Sequence, residues 1–490
     1  MSAMRARDGI LLLAITAGAC GRAAAPGQPV PRAGECVAAG GTSDVQRDTL
    51  VVALARPFQL ERLTRPADEA ERTLVRNLYE TLVRLDCTGA PAAGLAARWH
   101  GDDTGTRWTF VLRPGARFAD GQPLTARAVP AGWAERGGPR RVETRGPRSL
   151  IRTVEGSDDS TFTVELERPA PVSIFADPSL AVVRRDGGAW PVGTGPYRVV
   201  DPGPSGRSGY ANIRLARAAT EAEPGPGGQG ARAAAAAPRG PAVLEFTVPP
   251  GGDLRTALDL GADIVLTRDA GALAYAGAIE GVATAPLPWD RTYVLLAPTA
   301  TGVAEPPPTR ALQDLAGSAI RTEARPAAPL ATDPATCPAS AAARIGGAGP
   351  LLGSDTAPRI LYLARDEAAR GLAERLAALA GPPASAPWAA LRLPIGRPAI
   401  AVPVDSTALD RALREGRDAG YIVRAAAGEP CVRAGLIARA PWLERAAGAA
   451  VTPLVDTRAR AILRAGTGAV FIEGDGALRF DPALPAPSVR

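Results

Sequence analysis

Few residues in this chain are suited to covalent chemistry. All 56 basic side chains are arginine, so 490 residues contain no lysine, and they contain one histidine, His100. Without lysine there is no phosphate-binding P-loop of the common type, no Schiff base and no Ser-x-x-Lys acyl transfer. One histidine excludes His-rich metal sites, and a Ser-His-acid triad would have to use His100. That residue follows Trp99 and is expected in an exposed loop. Beyond Cys20, the cysteines at 36, 87, 337 and 431 have no zinc-site spacing. In an oxidising compartment these four can form two disulfides in any of three connectivities, or they can stay as thiols. What remains is recognition without bond making: no metal, no cofactor and no enzyme activity are expected.

The elements that must position any recognition site form a chain of real core-building capacity. It is 46% hydrophobic and 22% charged, with 4% aromatics and a formal charge of +6. Its arginines are scattered among acids and form no basic stripe with interleaved aromatics, which argues against nucleic acid as a partner. The all-arginine usage itself reads as the composition of a GC-rich genome. The start, MSAMRARDGILLLAITAGAC, has Arg5 and Arg7 ahead of a short apolar run, Ile10 to Ala17, and small residues before Cys20. That is the form of a secretory signal, too short to span a bilayer comfortably. It is similar to a bacterial lipoprotein signal, with Ala17-Gly18-Ala19-Cys20 as the lipobox and Ala17 where leucine is usual. On that reading Cys20 is lipidated and anchors the protein to a membrane. Residues 21–47, rich in Ala, Gly and Pro, read as a flexible tether.

Further along, strands and helices alternate. A strand is expected at 49–55. A helix is expected at 68–85, with Asp68 as N-cap and apolar residues at Leu74, Val75, Leu78, Leu82, Val83 and Leu85. Strands follow at 108–113 and 161–166, and a Gly-rich turn, VGTGPY, enters another near 197. Residues 212–217 and 243–248 read as a hairpin interrupted by a low-complexity insert. A helix and a strand share 254–266. A strand at 292–297 and a helix near 309–321 come next. Then come a strand at 360–363, a helix at 366–379, a strand at 399–402, a helix at 406–414 and a strand at 420–423. The chain closes with a helix at 456–465 and a hairpin, AVFIEGDGALRF. Such alternation predicts a mixed α/β architecture with more than one lobe.

With these pieces in order, the chain resembles the family 5 bacterial extracellular solute-binding proteins, the dipeptide and oligopeptide receptors of ABC importers. The resemblance is carried by NLYETLVRLDCTGAPAAGLAARW at 77–99, WTFVLRPGARFADGQPLTA at 108–126 and FTVELERPAP at 162–171. It continues through PVGTGPYRV at 191–199, ALDLGADIVL at 257–266, TRALQDLAGSAI at 309–320 and the C-terminal TPLVDTRARAILRAGTGAVFIEGDGALRF. It implies a two-lobed, type II periplasmic-binding-protein-like fold with mixed sheets and an extra subdomain in lobe I. The expected boundaries are a signal at 1–20, a tether at 21–47, lobe I at 48–285 with the subdomain near 60–170, lobe II at 286–450, and a return to lobe I at 451–490. The stretch 108–126 is scaffold on this reading. Trp108 and Phe110 share one strand face, and Pro114-Gly115 and Asp120-Gly121 make the turns before a helix.

The resemblance also implies the function and where the ligand sits. The protein is expected to enclose a peptide or similar small polar solute between its lobes and to deliver it to an ABC permease complex, working as a monomer outside the cell. A degenerate, structural envelope protein is the alternative. The resemblance places Arg56 and Phe58 after the first strand and Arg424 and Glu429 on the other lobe as ligand contacts. Peptide-binding relatives carry an aromatic residue and an Asp in that second segment. Here Arg424 and small residues replace the aromatic, and Glu429 is the nearby acid. Tyr79, Trp190, Thr194, Trp289 and Tyr293 complete the candidate set.

Overall fold

The computed structural model describes residues 36–40, 47–135, 147–156, 158–218, 240–288, 290–298, 327–329, 359–364, 366–379, 400–415, 420–426 and 449–480. At its centre lies the strand Thr49–Ala53, which alternates in what it buries. Leu50 and Val52 face one core, with Leu74, Phe246 and Leu463, while Ala53 faces a second, with Leu258, Val265 and Ile462. Being covered on both faces, it sits in the middle of a seven-stranded mixed sheet. The order is Tyr197–Asp201, Asn212–Arg217, Val243–Thr247, Thr49–Ala53, Ile264–Thr267, Arg460–Arg464 and Val282–Pro286. The central strand runs parallel to both neighbours, Val243–Thr247 and Ile264–Thr267. The expected 212–217/243–248 hairpin is there as an antiparallel pair.

A second sheet of four antiparallel strands is inserted after the first helix. Its order is Ala96–Gly101, Arg107–Leu112, Thr161–Leu166 and Ile151–Gly156. Phe110, Phe162 and Phe175 are fully buried in its core and pack ring on ring. Trp108 is half-buried at the rim, as the alternation predicts. Gly115 and Gly121 take φ values of 72° and 87°, the left-handed region their turns require. The helix Ala128–Glu135 follows. His100 is exposed, on a strand rather than in a loop.

A third sheet holds six strands in the order Ala327–Pro329, Ala449–Thr457, Arg291–Pro298, Gly420–Ala426, Arg359–Leu363 and Ile400–Val404. The helices Glu367–Leu379 and Ser406–Glu415 form where the apolar spacing predicts them. Leu409 and Leu413 pack under Val294, Leu296 and Leu361. The expected helix at 309–321 lies outside the described residues.

Three expectations are corrected. The first helix stops at Leu78, and Val83–Leu85 is a strand. Residues 456–465 are strand rather than helix: the end of Ala449–Thr457 and then Arg460–Arg464. Val37–Ala39, inside the stretch read as a tether, forms a strand against Ala469–Ile472 and is held by a Cys36–Cys87 disulfide.

Candidate functional site: the crossover face and the first helix

The seven- and six-stranded sheets are joined twice. Residues 287–290 lead from Val282–Pro286 to Arg291–Pro298, and residues 458–459 lead from Ala449–Thr457 back to Arg460–Arg464. The two crossings run side by side. Pro286 pairs with Arg460 on one side and Arg291 with Thr457 on the other. Between these pairs the amide of Leu287 donates to the carbonyl of Ala459 at 3.0 Å. Connections this short and adjacent leave the two sheets few shared restraints, which is the geometry of a hinge.

Against this junction lies the N-terminal end of the helix Glu69–Leu78. Asp68 caps it, accepting from the Glu71 amide at 2.9 Å. Its first turn is acidic, which suits the helix dipole, and the acids are matched by arginines from several elements. Glu71, buried, accepts from Arg62 at 3.0 Å and from Arg56 at 3.4 Å. Glu69, also buried, meets Arg72 at 2.7 Å, Arg268 at 2.5 Å and Arg291 at 3.9 Å. Asp290, in the first crossing, accepts from Arg268 through both carboxylate oxygens at 2.6 Å. Burial alone would raise the Glu69 pKa, but Arg268, Arg72 and Arg291 together pull it down to about 2. Asp68 moves the other way, pushed up by burial and by its acidic neighbours Glu71 and Glu69.

At the far end of the helix a second charged cluster is more deeply buried. Glu80 accepts from Arg113 at 2.6 Å and from Arg479 at 3.0 Å. Arg479 is 1% exposed and also approaches Glu473 at 3.5 Å. Arg76 donates to Asp475 at 2.8 Å and to the Ala176 carbonyl at 2.6 Å. This cluster ties the C-terminal hairpin to the first helix and to the inserted subdomain.

The sequence-derived candidates are spread over these elements. Arg56 is half-exposed at the junction and is bound to Asp68 and Glu71. Phe58 is fully buried and stacks on the half-buried Trp190 at 5.8 Å, and Trp190 also meets Tyr210. Tyr79, 1% exposed, donates to the Pro191 carbonyl. Tyr293, 1% exposed, donates to Asp366 at 2.8 Å. Thr194 is buried, and its hydroxyl accepts from the Glu80 amide at 3.3 Å. Arg424 lies on the strand Gly420–Ala426, in register with Tyr293. Trp289, Glu429 and Cys20 lie outside the described residues. The structure brings Phe58 and Trp190 together, and it sets Tyr79 and Thr194 around the end of the first helix.

The glycines of GTGPY have a specific role. A Cβ on Gly193 would come within 2.0 Å of the Leu78 carbonyl oxygen, and one on Gly195 within 2.4 Å of the Asn77 oxygen. The motif therefore lets the chain lie directly on the C-terminal end of the helix, where the Gly195 amide caps the Leu78 carbonyl at 3.0 Å. The Arg268–Asp290–Glu69–Arg72 cluster was missed by sequence reasoning. Its members are 221 positions apart at the extremes, from Glu69 to Asp290, and the i,i+3 spacing of Glu69 and Arg72 is local while nothing local marks Arg268 or Asp290.

Residues 90–211, the inserted subdomain through GTGPY, match the model for bacterial extracellular solute-binding proteins, family 5 middle. Over that stretch the chain is similar to family 5. A probable deoxycholate-binding periplasmic protein of Escherichia coli K12 is 30% identical over 142 residues, covering 24% of this chain and 26% of that protein. The periplasmic oligopeptide-binding protein of Salmonella typhimurium is 28% identical over 134 residues, covering 23% and 24%. These alignments span about a quarter of each relative's length. The likeness of fold extends much further. The chain is similar to NikA from Brucella suis in complex with Fe(III)-EDTA, with a TM-score of 0.58 at 15% identity over 90% of this chain and 99% of that one. It is equally similar to HbpA2 from Haemophilus parasuis, with a TM-score of 0.58 at 15% identity over 89% and 100%. The architecture is thus the two-lobed periplasmic binding fold with mixed sheets.

Proposed function

We propose that this protein is the substrate-binding component of an ABC importer, capturing a peptide or similar polar solute between two lobes and handing it to a permease. The observation that carries the reading is the pair of adjacent crossings between two separate sheets, a joint suited to opening and closing around a ligand. Lobe I would comprise 48–286 and 460–480, and lobe II 291–457; the expected return at 451 moves to the second crossing, because Ala449–Thr457 is a strand of the six-stranded sheet. The relatives' names point the same way: one is a probable deoxycholate-binding protein and the other an oligopeptide-binding protein. That range argues for one capture mechanism with varied pockets. Among the described residues no group of His, Cys, Asp and Glu could hold a metal ion. A lipidated Cys20 would anchor the protein to a membrane, as a monomer, in the periplasm or at the cell surface. Among the described residues no helix is long and apolar enough to cross one.

On this reading Arg56 and Trp190 offer accessible groups on lobe I, while Arg424 and Glu429 serve lobe II. Glu429 would pair with a ligand amine. Replacing it with Gln is expected to weaken binding of an amine-bearing ligand by about 1–3 kcal/mol, measured by titration calorimetry. An unchanged affinity removes Glu429 from the site. One observation favours the structural alternative: Phe58, Tyr79 and Tyr293 are sealed inside the protein, which leaves a ligand fewer aromatic contacts. Thermal-shift screening against peptides and small polar solutes separates the two readings. Solute capture predicts stabilisation by at least one class, whereas no stabilisation by any favours the envelope-scaffold reading.

A further inference from the structure

The charged cluster at the first crossing bridges the two sheets. Asp290 is the last residue before the six-stranded sheet, and its carboxylate is held by Arg268 and Arg72. Arg268 follows the strand Ile264–Thr267, and Arg72 belongs to the first helix. The next residue, Arg291, begins the six-stranded sheet's own strand and points its charge at Glu69, 3.9 Å away. Two consecutive residues at the root of one lobe therefore carry opposite charges, each paired across the joint. Beside the cluster, the joint carries the Leu287–Ala459 backbone bond and the flanking ladder pairs, and Leu287 and Ala459 are buried in the core of the seven-stranded sheet. Backbone bonds of this kind tolerate a change of angle. A carboxylate gripped by two guanidinium groups does not move without separating charges that are four-fifths or more buried.

We infer that Asp290, held by Arg268 and Arg72 over Glu69, is a positioning residue that sets the resting angle between the two lobes and so the fraction of molecules ready to bind. Glu69 orients both guanidinium groups, and Asp290 transmits their position to the six-stranded sheet. The inference rests on the two-lobe reading above but requires no particular ligand. Breaking the grip moves the equilibrium between lobe arrangements, and affinity for any captured solute changes by the same population factor.

The test needs no ligand. Fluorophores are placed through non-canonical amino acids at Leu260, 70% exposed on the seven-stranded side, and Ile400, 51% exposed on the six-stranded side. Single-molecule energy transfer then reads the lobe distance. Asp290→Asn is expected to shift the ratio of compact to extended molecules by about fivefold, as loss of a partly buried ion pair would. Asp290→Glu should restore the wild-type ratio. Arg268→Gln, made in parallel, should reproduce the shift should the first variant fold poorly. An unchanged distance distribution in folded Asp290→Asn and Arg268→Gln, with only a lower melting temperature, overturns the inference and leaves the cluster merely structural. A shifted ratio in a protein that binds no solute keeps the positioning role and removes the capture function.

Discussion

Glu80 shows how much depends on single charged residues here. It lies at the end of the first helix, is 3% exposed, and accepts from Arg113 and Arg479, while Arg479 is itself 1% exposed. A buried pair contributes little compared with an apolar pair of equal volume, but removing one partner strands the other. Glu80→Ala should therefore cost about 3 kcal/mol of unfolding free energy, read from the urea midpoint. The double change Glu80→Leu with Arg479→Met should recover most of it. A loss below about 1 kcal/mol would mean that Glu473 alone compensates Arg479. Glu69 gives a pH prediction. Its folded pKa is depressed from 4.5 to about 2, so its contribution is present above the unfolded value and is lost as pH falls from about 4.5 toward 2. Glu80 and Asp475, both lowered despite burial, act in the same direction, while Asp68 and Asp263, raised by burial, act against it. Chemical melts between pH 7 and pH 3 should show stability falling below about pH 4.5 and Glu69→Gln flattening that slope. Few of these pairings were visible in the sequence, since apart from Glu69–Arg72 they join residues far apart in the chain.

Among the elements, the sequence was most readable where one period dominates. The Asp68 cap, the strand faces around Phe110 and Phe162, and the helices Glu367–Leu379 and Ser406–Glu415 all follow from spacing. It misled where tertiary packing overrode propensity. DTRARAILRA has a helix former's composition, yet Ala461, Ile462 and Leu463 are buried on both faces of a strand between Ile264–Thr267 and Val282–Pro286. The apolar spacing from Leu74 to Leu85 runs through a helix end that only the distant glycines at 193 and 195 create. The disulfide was one of several open pairings, and the fold brings Cys36 and Cys87 together at the edge of the core, while Cys337 and Cys431 lie outside the described residues. It closes a separation of 51 residues, for which loop entropy gives about 4 kcal/mol. Cys87→Ser should lower the unfolding free energy by up to about that amount. It should also speed amide exchange in Val37–Ala39, followed by mass spectrometry. Exchange unchanged there would show that pairing with Ala469–Ile472 suffices to hold the N-terminal strand.

At the scale of the whole molecule, topology is what the function reading depends on. After Pro286 the chain leaves the seven-stranded sheet, builds the six-stranded one, and returns at Arg460 beside its own exit. The order of motifs anticipated this outline, because the motifs within the described residues belong to local strands, turns or helices. How the ligand candidates would be distributed was not readable. Tyr79 and Tyr293 look alike as aromatic residues in a sequence, and only packing reveals that their hydroxyls are consumed by Pro191 and Asp366. The central claim is that two lobes shut on a captured molecule. It is tested most directly by the distance between fluorophores at positions 260 and 400 as the best stabilising solute from a thermal screen is titrated in. The account predicts a saturable shift toward shorter distances that matches the binding curve. A distance unmoved at saturation, with the solute bound, would contradict it.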